Sequence, residues 1–155
     1  MPLIDPGKKA PAFTLKDQNG KTHRLSDYAG RPLVLYFYPK DDTPGCTKEA
    51  CAFRDNLPRF KTSKAAILGV SGQDEASKAR FAAKYDLPFP LLADAGYEVA
   101  ERYGVWQKRF LYGRSFMGVS RTTYLIGADG KVVKRWDKVK VDKHVAEVLA
   151  AIDGL

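Results

Sequence analysis

The run Leu33-Val34-Leu35-Tyr36-Phe37-Tyr38 constrains the fold more than any other stretch of this chain. A half-exposed strand alternates apolar and polar residues. An unbroken apolar run of strand length belongs to a central strand covered by helices on both faces. Pro39 ends the run and Lys40-Asp41-Asp42 follow as a polar loop. Thr43 is a preferred helix N-cap, and Pro44 suits the first helical position, where its missing N–H would be unpaired anyway. Cys46 therefore falls in the first turn of a helix that begins at the C-terminal edge of a buried strand, where open α/β sheets bind ligands.

The remaining elements read from local signals. Ala12–Leu15 and Lys21–Leu25 flank an Asn19-Gly20 turn and form an opening hairpin. Composition favours a helix from Thr43 to about Lys61, a second buried strand over Ala65–Ser71 and a helix over Asp74–Tyr85. Pro88–Asp94 is a loop entering a short strand, and Tyr97–Tyr103 is a short helix stopped by Gly104. Arg121–Ile126 and Lys131–Trp136 make a second hairpin about Ala128-Asp129-Gly130, and Val141–Ile152 closes the chain as an amphipathic helix. This order gives an α/β protein with a thioredoxin-like fold: a central mixed sheet flanked by helices, with an N-terminal β-hairpin.

At 155 residues with 45% hydrophobic content, the chain buries one core and is too short for two ordinary domains, so residues 1–155 read as a single domain. No apolar run approaches the length of a membrane span, and no membrane partner is expected. The N-terminus lacks the apolar segment of a secretory signal, which points to the cytoplasm. The net charge of +8 comes from basic residues scattered among acidic ones, as in Lys40-Asp41-Asp42 and Asp137-Lys138-Val139-Lys140, so no nucleic-acid partner is expected.

Two cysteines in a reducing compartment are more often catalytic or redox-sensing than a structural staple. At a helix start, unpaired N–H groups and the positive end of the dipole favour the thiolate of Cys46, the form that attacks a peroxide O–O bond. A nearby arginine would strengthen this, but helical geometry alone does not say which. Cys51 lies five residues on, about 140° around a regular helix and roughly 7.5 Å along it. The sulfurs then point apart, and a disulfide between them requires the helix to unwind locally. With His23 and His144 distant in sequence, the cysteines make a poor metal set.

The run Tyr38-Pro39-Lys40-Asp41-Asp42-Thr43-Pro44-Gly45-Cys46-Thr47, followed by Glu49-Ala50-Cys51 and Phe53-Arg54-Asp55, resembles the active-site signature of the Q-type peroxiredoxins, also called bacterioferritin comigratory proteins. Pro6-Gly7, Ala10–Phe13, Phe89–Asp94 and Gly118–Ile126 extend the similarity over nearly the whole chain. The resemblance implies a thiol-dependent peroxidase acting on hydrogen peroxide and organic hydroperoxides. Cys46 would be the peroxidatic cysteine, oxidised to a sulfenic acid, and Cys51 the resolving cysteine that closes a disulfide with it. Thr43 would orient the peroxide, Pro44 would shield the sulfur, and Arg121 would be the active-site arginine. The N–H groups of Gly45 and Cys46 would complete the donor set. The resemblance further implies thioredoxin or a related dithiol protein as reductant, no bound cofactor, and a monomer.

A thiol-disulfide oxidoreductase is the rival enzyme, although its usual spacing puts two residues between the cysteines where this chain has four. A peroxide-sensing redox partner protein is the rival outside catalysis. Arg54 is a surface arginine, a partner for Asp55 or Glu49, or a charge beside the sulfur. His23 and His144 are expected at the surface. Tyr36, Phe37, Tyr38, Phe53 and Trp106 are expected as core or pocket-wall aromatics.

Overall fold

Leu33–Phe37 forms a strand whose five side chains are all buried, each worth about 1.5–3 kcal/mol relative to exposure for residues of this size. The computed structural model describes residues 1–155. The chain opens with β1 (Thr14–Lys16) and β2 (Thr22–Arg24), then a 3-10 turn over Leu25–Tyr28. β3 (Leu33–Phe37), α1 (Pro44–Asp55), α2 (Leu57–Thr62), β4 (Ala66–Ser71), α3 (Glu75–Tyr85) and β5 (Leu91–Ala93) follow. The rest is α4 (Glu98–Arg102), β6 (Trp106–Leu111), β7 (Arg114–Val119), β8 (Thr122–Ile126), β9 (Val132–Trp136) and α5 (His144–Asp153).

The main sheet has the order β2-β1-β5-β4-β3-β8-β9, while β6 and β7 pair only with each other. β3, β4 and β5 run parallel, and β8 joins β3 antiparallel. Successive β3 side chains point to opposite faces. Val34 and Tyr36 join Phe53 of α1, Phe81 of α3 and Val148 of α5 in one apolar cluster. Leu33, Leu35 and Phe37 join Val99 and Ala100 of α4 and Tyr124 of β8 in the other. The mixed sheet, the opening hairpin and the helices on both faces are as expected from the sequence.

Three expectations need correction. The helix expected from Thr43 to about Lys61 divides at Asn56 (φ −105, ψ 5). Pro58 has no N–H to donate, and its ring would clash with the Arg54 carbonyl in a continuous helix. His23 and His144 are buried rather than at the surface. His23 lies between Asp17 and Tyr28, with ring nitrogens 2.7 and 2.6 Å from their oxygens. His144 Nε2 is 2.8 Å from the Thr123 hydroxyl. Polar partners make such burial affordable, and those partners are not adjacent in sequence. Finally, the β6–β7 hairpin occupies a stretch for which the sequence suggested no element.

Candidate active site

The register of the sheet brings the site together. Phe37, the last residue of β3, pairs with Thr122, the first of β8, so the residue before Thr122 sits at the edge where α1 begins. That residue is Arg121. Its Nη2 donates to Cys46 Sγ over 3.3 Å, and its Nη1 donates to Glu49 Oε1 over 2.8 Å. A backbone bond from Val139 N–H to the Arg121 carbonyl, 3.0 Å, fixes the strand end that carries it.

Cys46 is the third residue of α1 and is 2% exposed. The backbone bond at the start of α1 runs from Thr47 N–H to the Thr43 carbonyl, 2.8 Å, which leaves the N–H groups of Gly45 and Cys46 without an intrahelical acceptor. These free donors belong to the same first turn as the sulfur that Arg121 contacts, and a helix start and a guanidinium both favour negative charge. A Cβ on Gly45 would lie 3.1 Å from Arg121 Nη2, so glycine leaves room for the guanidinium. Thr43 is the N-cap residue but makes no side-chain cap; its hydroxyl donates instead to the Lys40 carbonyl, 2.9 Å. Pro44 occupies the first helical position and is exposed.

Cys51 lies on the same helix, half-buried, and both cysteines are free. It lines an open cleft of about 450 Å³ together with Thr43, Pro44, Thr47, Lys48 and Tyr85. The structure thus groups Cys46, Gly45 and Arg121 in direct contact and places Cys51 apart from them, along the helix. Arg54 does not reach Cys46: it donates to Asp55 Oδ1 over 2.9 Å and to the Tyr85 carbonyl over 2.6 Å.

Glu49 is a site residue that the sequence offered only as a partner for Arg54. It is 1% exposed, three residues after Cys46 and hence on the same helix face. Burial pushes its carboxyl up to about 7, with Arg121 opposing. Burial also works against the Arg121 charge, but Glu49 and Cys46 outweigh it and raise the guanidinium further. Glu49 Oε2 and the Tyr36 hydroxyl are buried without hydrogen-bond partners. Burial, then the charges of Glu49 and Cys46, raise the Tyr36 phenol well above its ordinary value, which places that ring beside the site. Tyr36 also stacks on Phe53, centroids 4.7 Å apart. His144 is held down to about 4 by burial and by the Arg121 charge, so it stays neutral at physiological pH.

The loop carrying Thr43 is anchored from beneath. Asp41 is buried and accepts from the Tyr38 hydroxyl (2.6 Å), the Ser77 hydroxyl (2.8 Å) and Lys78 Nζ (3.2 Å to Oδ1). Lys78 on α3 is fully buried and also contacts the Ser71 hydroxyl. Burial pulls its ammonium below the usual lysine range, with Asp41 the largest opposing influence. On the solvent side, Asp42 accepts from Lys84 Nζ and the Tyr85 hydroxyl, both 2.8 Å. No group of three or more His, Cys, Asp or Glu side chains is placed to hold a metal ion.

Comparison with known proteins agrees with this geometry. The AhpC/TSA family model matches residues 6–135. Peroxiredoxin Bcp of Bacillus subtilis is 47% identical, the alignment covering 98% of this chain and 97% of that protein. A putative peroxiredoxin bcp of Coxiella burnetii is 46% identical over 96% of this chain and 99% of that protein. The solved structure of Xanthomonas campestris bacterioferritin comigratory protein, from work on its alkyl peroxide reduction activity, superposes with a TM-score of 0.90 at 38% identity, covering 97% of this chain and 98% of that one. These neighbours share the thioredoxin-like fold. The chain therefore belongs to the AhpC/TSA family, among the Bcp or Q-type peroxiredoxins, and is a thiol peroxidase.

Proposed function

We propose that Cys46 is the peroxidatic cysteine and Cys51 the resolving cysteine of a dithiol-dependent reductase acting on hydrogen peroxide and organic hydroperoxides. The observation that carries this assignment is the 3.3 Å contact from Arg121 Nη2 to a buried sulfur at the start of α1. The Cys46 thiolate attacks the nearer peroxide oxygen, the O–O bond breaks, and the departing alkoxide takes up a proton. The products are water or an alcohol and a sulfenic acid on Cys46. Arg121 and the N–H groups of Gly45 and Cys46 meet the charge that moves onto the oxygens. The Thr43 proton is committed to Lys40, so its oxygen presents lone pairs suited to accept from a hydroperoxide O–H. Pro44, at the exposed first position of the same helical turn, is assigned the shielding of the sulfur from solvent that the family likeness gives it.

Resolution follows when the Cys51 thiolate attacks the sulfenic sulfur: the S–S bond forms, the S–O bond breaks, and the departing hydroxide takes up a proton to leave as water. In an ideal helix residues five apart have Cα atoms roughly 8.7 Å apart, beyond disulfide reach of about 7 Å. α1 is continuous across both cysteines, so it must open before the bond forms. The break at Asn56 separates α1 from α2 and lets one open without unravelling the other. A dithiol protein of the thioredoxin type then reduces the disulfide. Both cysteines lie on one helix of one chain, which supports a monomer, and the two apolar clusters share one sheet, which supports residues 1–155 acting as one domain. Two cysteines assigned to redox catalysis suit a reducing compartment such as the cytoplasm.

The test is peroxide consumption coupled to thioredoxin, thioredoxin reductase and NADPH, with mass mapping of the oxidised protein. A Cys46–Cys51 cross-link in wild type, with turnover lost in Cys46→Ser and Cys51→Ser alike, is expected. Full turnover in Cys51→Ser with thioredoxin would remove Cys51 from the resolving role.

A further inference from the structure

The β6–β7 hairpin plays no part in the reaction described above. It pairs from Trp106 opposite Val119 to Leu111 opposite Arg114 and turns through Tyr112 and Gly113, both at positive φ (50 and 76). Only its base is packed, with Trp106 stacked on Tyr97 at 4.2 Å and Val119 buried. Beyond that base Phe110 is 74% exposed, Leu111 56% and Tyr112 95%, with Phe116 and Met117 exposed as well. Five of the eight exposed large apolar residues of the chain thus lie within one turn of ribbon. Side chains alternate between faces, so Phe110 and Met117 lie on one face and Leu111 and Phe116 on the other.

Apolar residues on both faces of a projecting ribbon match a medium that surrounds its tip, whereas a folded partner covers one face. The charge pattern names the medium. No acidic residue occurs between Glu101 and Asp129, while Lys108, Arg109 and Arg114 flank the apolar tip. Lys108 Nζ lies 6.0 Å from the Phe110 ring centroid and Arg109 Cζ 6.0 Å from that of Phe116, so cation and ring travel together. Amphipathic side chains of this kind keep charge at headgroup level while apolar parts enter the acyl boundary.

We propose that the β6–β7 hairpin seats this protein on an anionic phospholipid surface, with Phe110, Leu111 and Tyr112 entering the interface and the exposed Lys108 and Arg114 meeting lipid phosphates, while Arg109 is held to the Val119 carbonyl at the hairpin's base. The association is peripheral, since no helix is long and apolar enough to cross a membrane. It goes beyond the sequence expectation of no membrane partner, which rested on the lack of an apolar run of spanning length. Ser120 and Arg121 follow β7 directly, so docking holds the reaction site within about 30 Å of the lipid, the reach of nine extended residues.

The experiment is co-sedimentation with phosphatidylglycerol-containing and pure phosphatidylcholine vesicles. One variant, Phe110→Ser/Leu111→Ser/Tyr112→Asn, removes apolar surface and installs the favoured Asn-Gly turn, so folding is preserved. A second, Lys108→Gln/Arg114→Gln, removes charge. Wild type is expected to bind anionic vesicles at least about tenfold more tightly than neutral ones, with each variant about tenfold or more weaker on anionic vesicles. Hydrogen peroxide reduction in solution should be unchanged in both variants, so failure here leaves the peroxidase assignment standing. Absence of vesicle binding, binding equal in wild type and variants, or hairpin-dependent self-association without vesicle binding would each overturn the proposal.

Discussion

Replacing Lys78 by methionine isolates the anchor beneath the reactive loop. Lys78 is fully buried, and its ammonium lies 3.2 and 3.4 Å from the two oxygens of a buried Asp41 carboxylate. Methionine fills a similar volume but leaves that carboxylate buried with only the hydroxyls of Tyr38, Ser71 and Ser77 as partners. Removing one member of a buried, hydrogen-bonded ion pair costs about 3–5 kcal/mol. For a chain of this size each kcal/mol moves the midpoint by about 2–4 °C, so Lys78→Met should melt roughly 10 °C below wild type. Asp41→Asn in the same background removes the orphaned charge and should restore at least half of the loss, giving a large favourable coupling in a double-mutant cycle. Urea unfolding followed by Trp106 and Trp136 fluorescence measures each corner of the cycle. The peroxide reaction of Lys78→Met should slow even in buffer where the variant is fully folded, because Asp41 fixes the turn that presents Thr43 and Cys46. A Lys78→Met loss below about 1 kcal/mol, or single-variant losses that simply add, would refute the anchor.

Other expectations follow from the same geometry. Glu49 titrates near 7 when folded and at its ordinary value of 4.5 when unfolded, so the folded state binds the extra proton between these values and stability falls as pH rises through that window. His144 is shifted from 6.5 to about 4, so the folded state binds fewer protons there and stability rises with pH between 4 and 6.5. The two slopes oppose each other, and urea midpoints from pH 4 to 8 should steepen upward in Glu49→Gln and downward in His144→Gln; unchanged profiles in both would remove these shifts. Arg121→Lys keeps the charge but cannot bridge Cys46 and Glu49 together, and should slow sulfur oxidation about 10²-fold in stopped-flow traces. Gly45→Ala puts a methyl 3.1 Å from Arg121 Nη2 and should slow the peroxide reaction while leaving stability unchanged or up to about 1 kcal/mol higher, as read from paired melting and stopped-flow measurements.

What was legible in the sequence was written locally. β3 announced itself because both of its faces are buried, and both sheet hairpins carried turn residues at the right spacing. The cysteines' placement followed from Thr43-Pro44 at a helix start. Arg121 came only from family likeness, because its approach to Cys46 depends on a strand register spanning 75 residues. Lys78 and Asp41 are 37 residues apart, and neither looks unlike a surface charge until α3 folds over the loop. His144 was misplaced for the same reason, its Thr123 partner being 21 residues away; the partners of His23 are five and six residues off, and only closure of the opening hairpin and the turn after it brings Asp17 and Tyr28 to its ring. The β6–β7 ribbon gave no strand signal because neither of its outer faces is buried, so basic and aromatic residues interleave without alternation. The break at Asn56 did carry a signal in Pro58, outweighed by the helical composition around it.

The most direct test of Cys46 as the nucleophile is stopped-flow mixing of the reduced protein with hydrogen peroxide, comparing wild type with Cys46→Ser and Cys51→Ser. Fast oxidation in wild type, its disappearance in Cys46→Ser, and a sulfenic acid that accumulates in Cys51→Ser are the expected results. A wild-type reaction no faster than that of a free thiol, or one that persists in Cys46→Ser, would contradict the assignment of Arg121, Gly45 and the start of α1 as the peroxide-reducing centre.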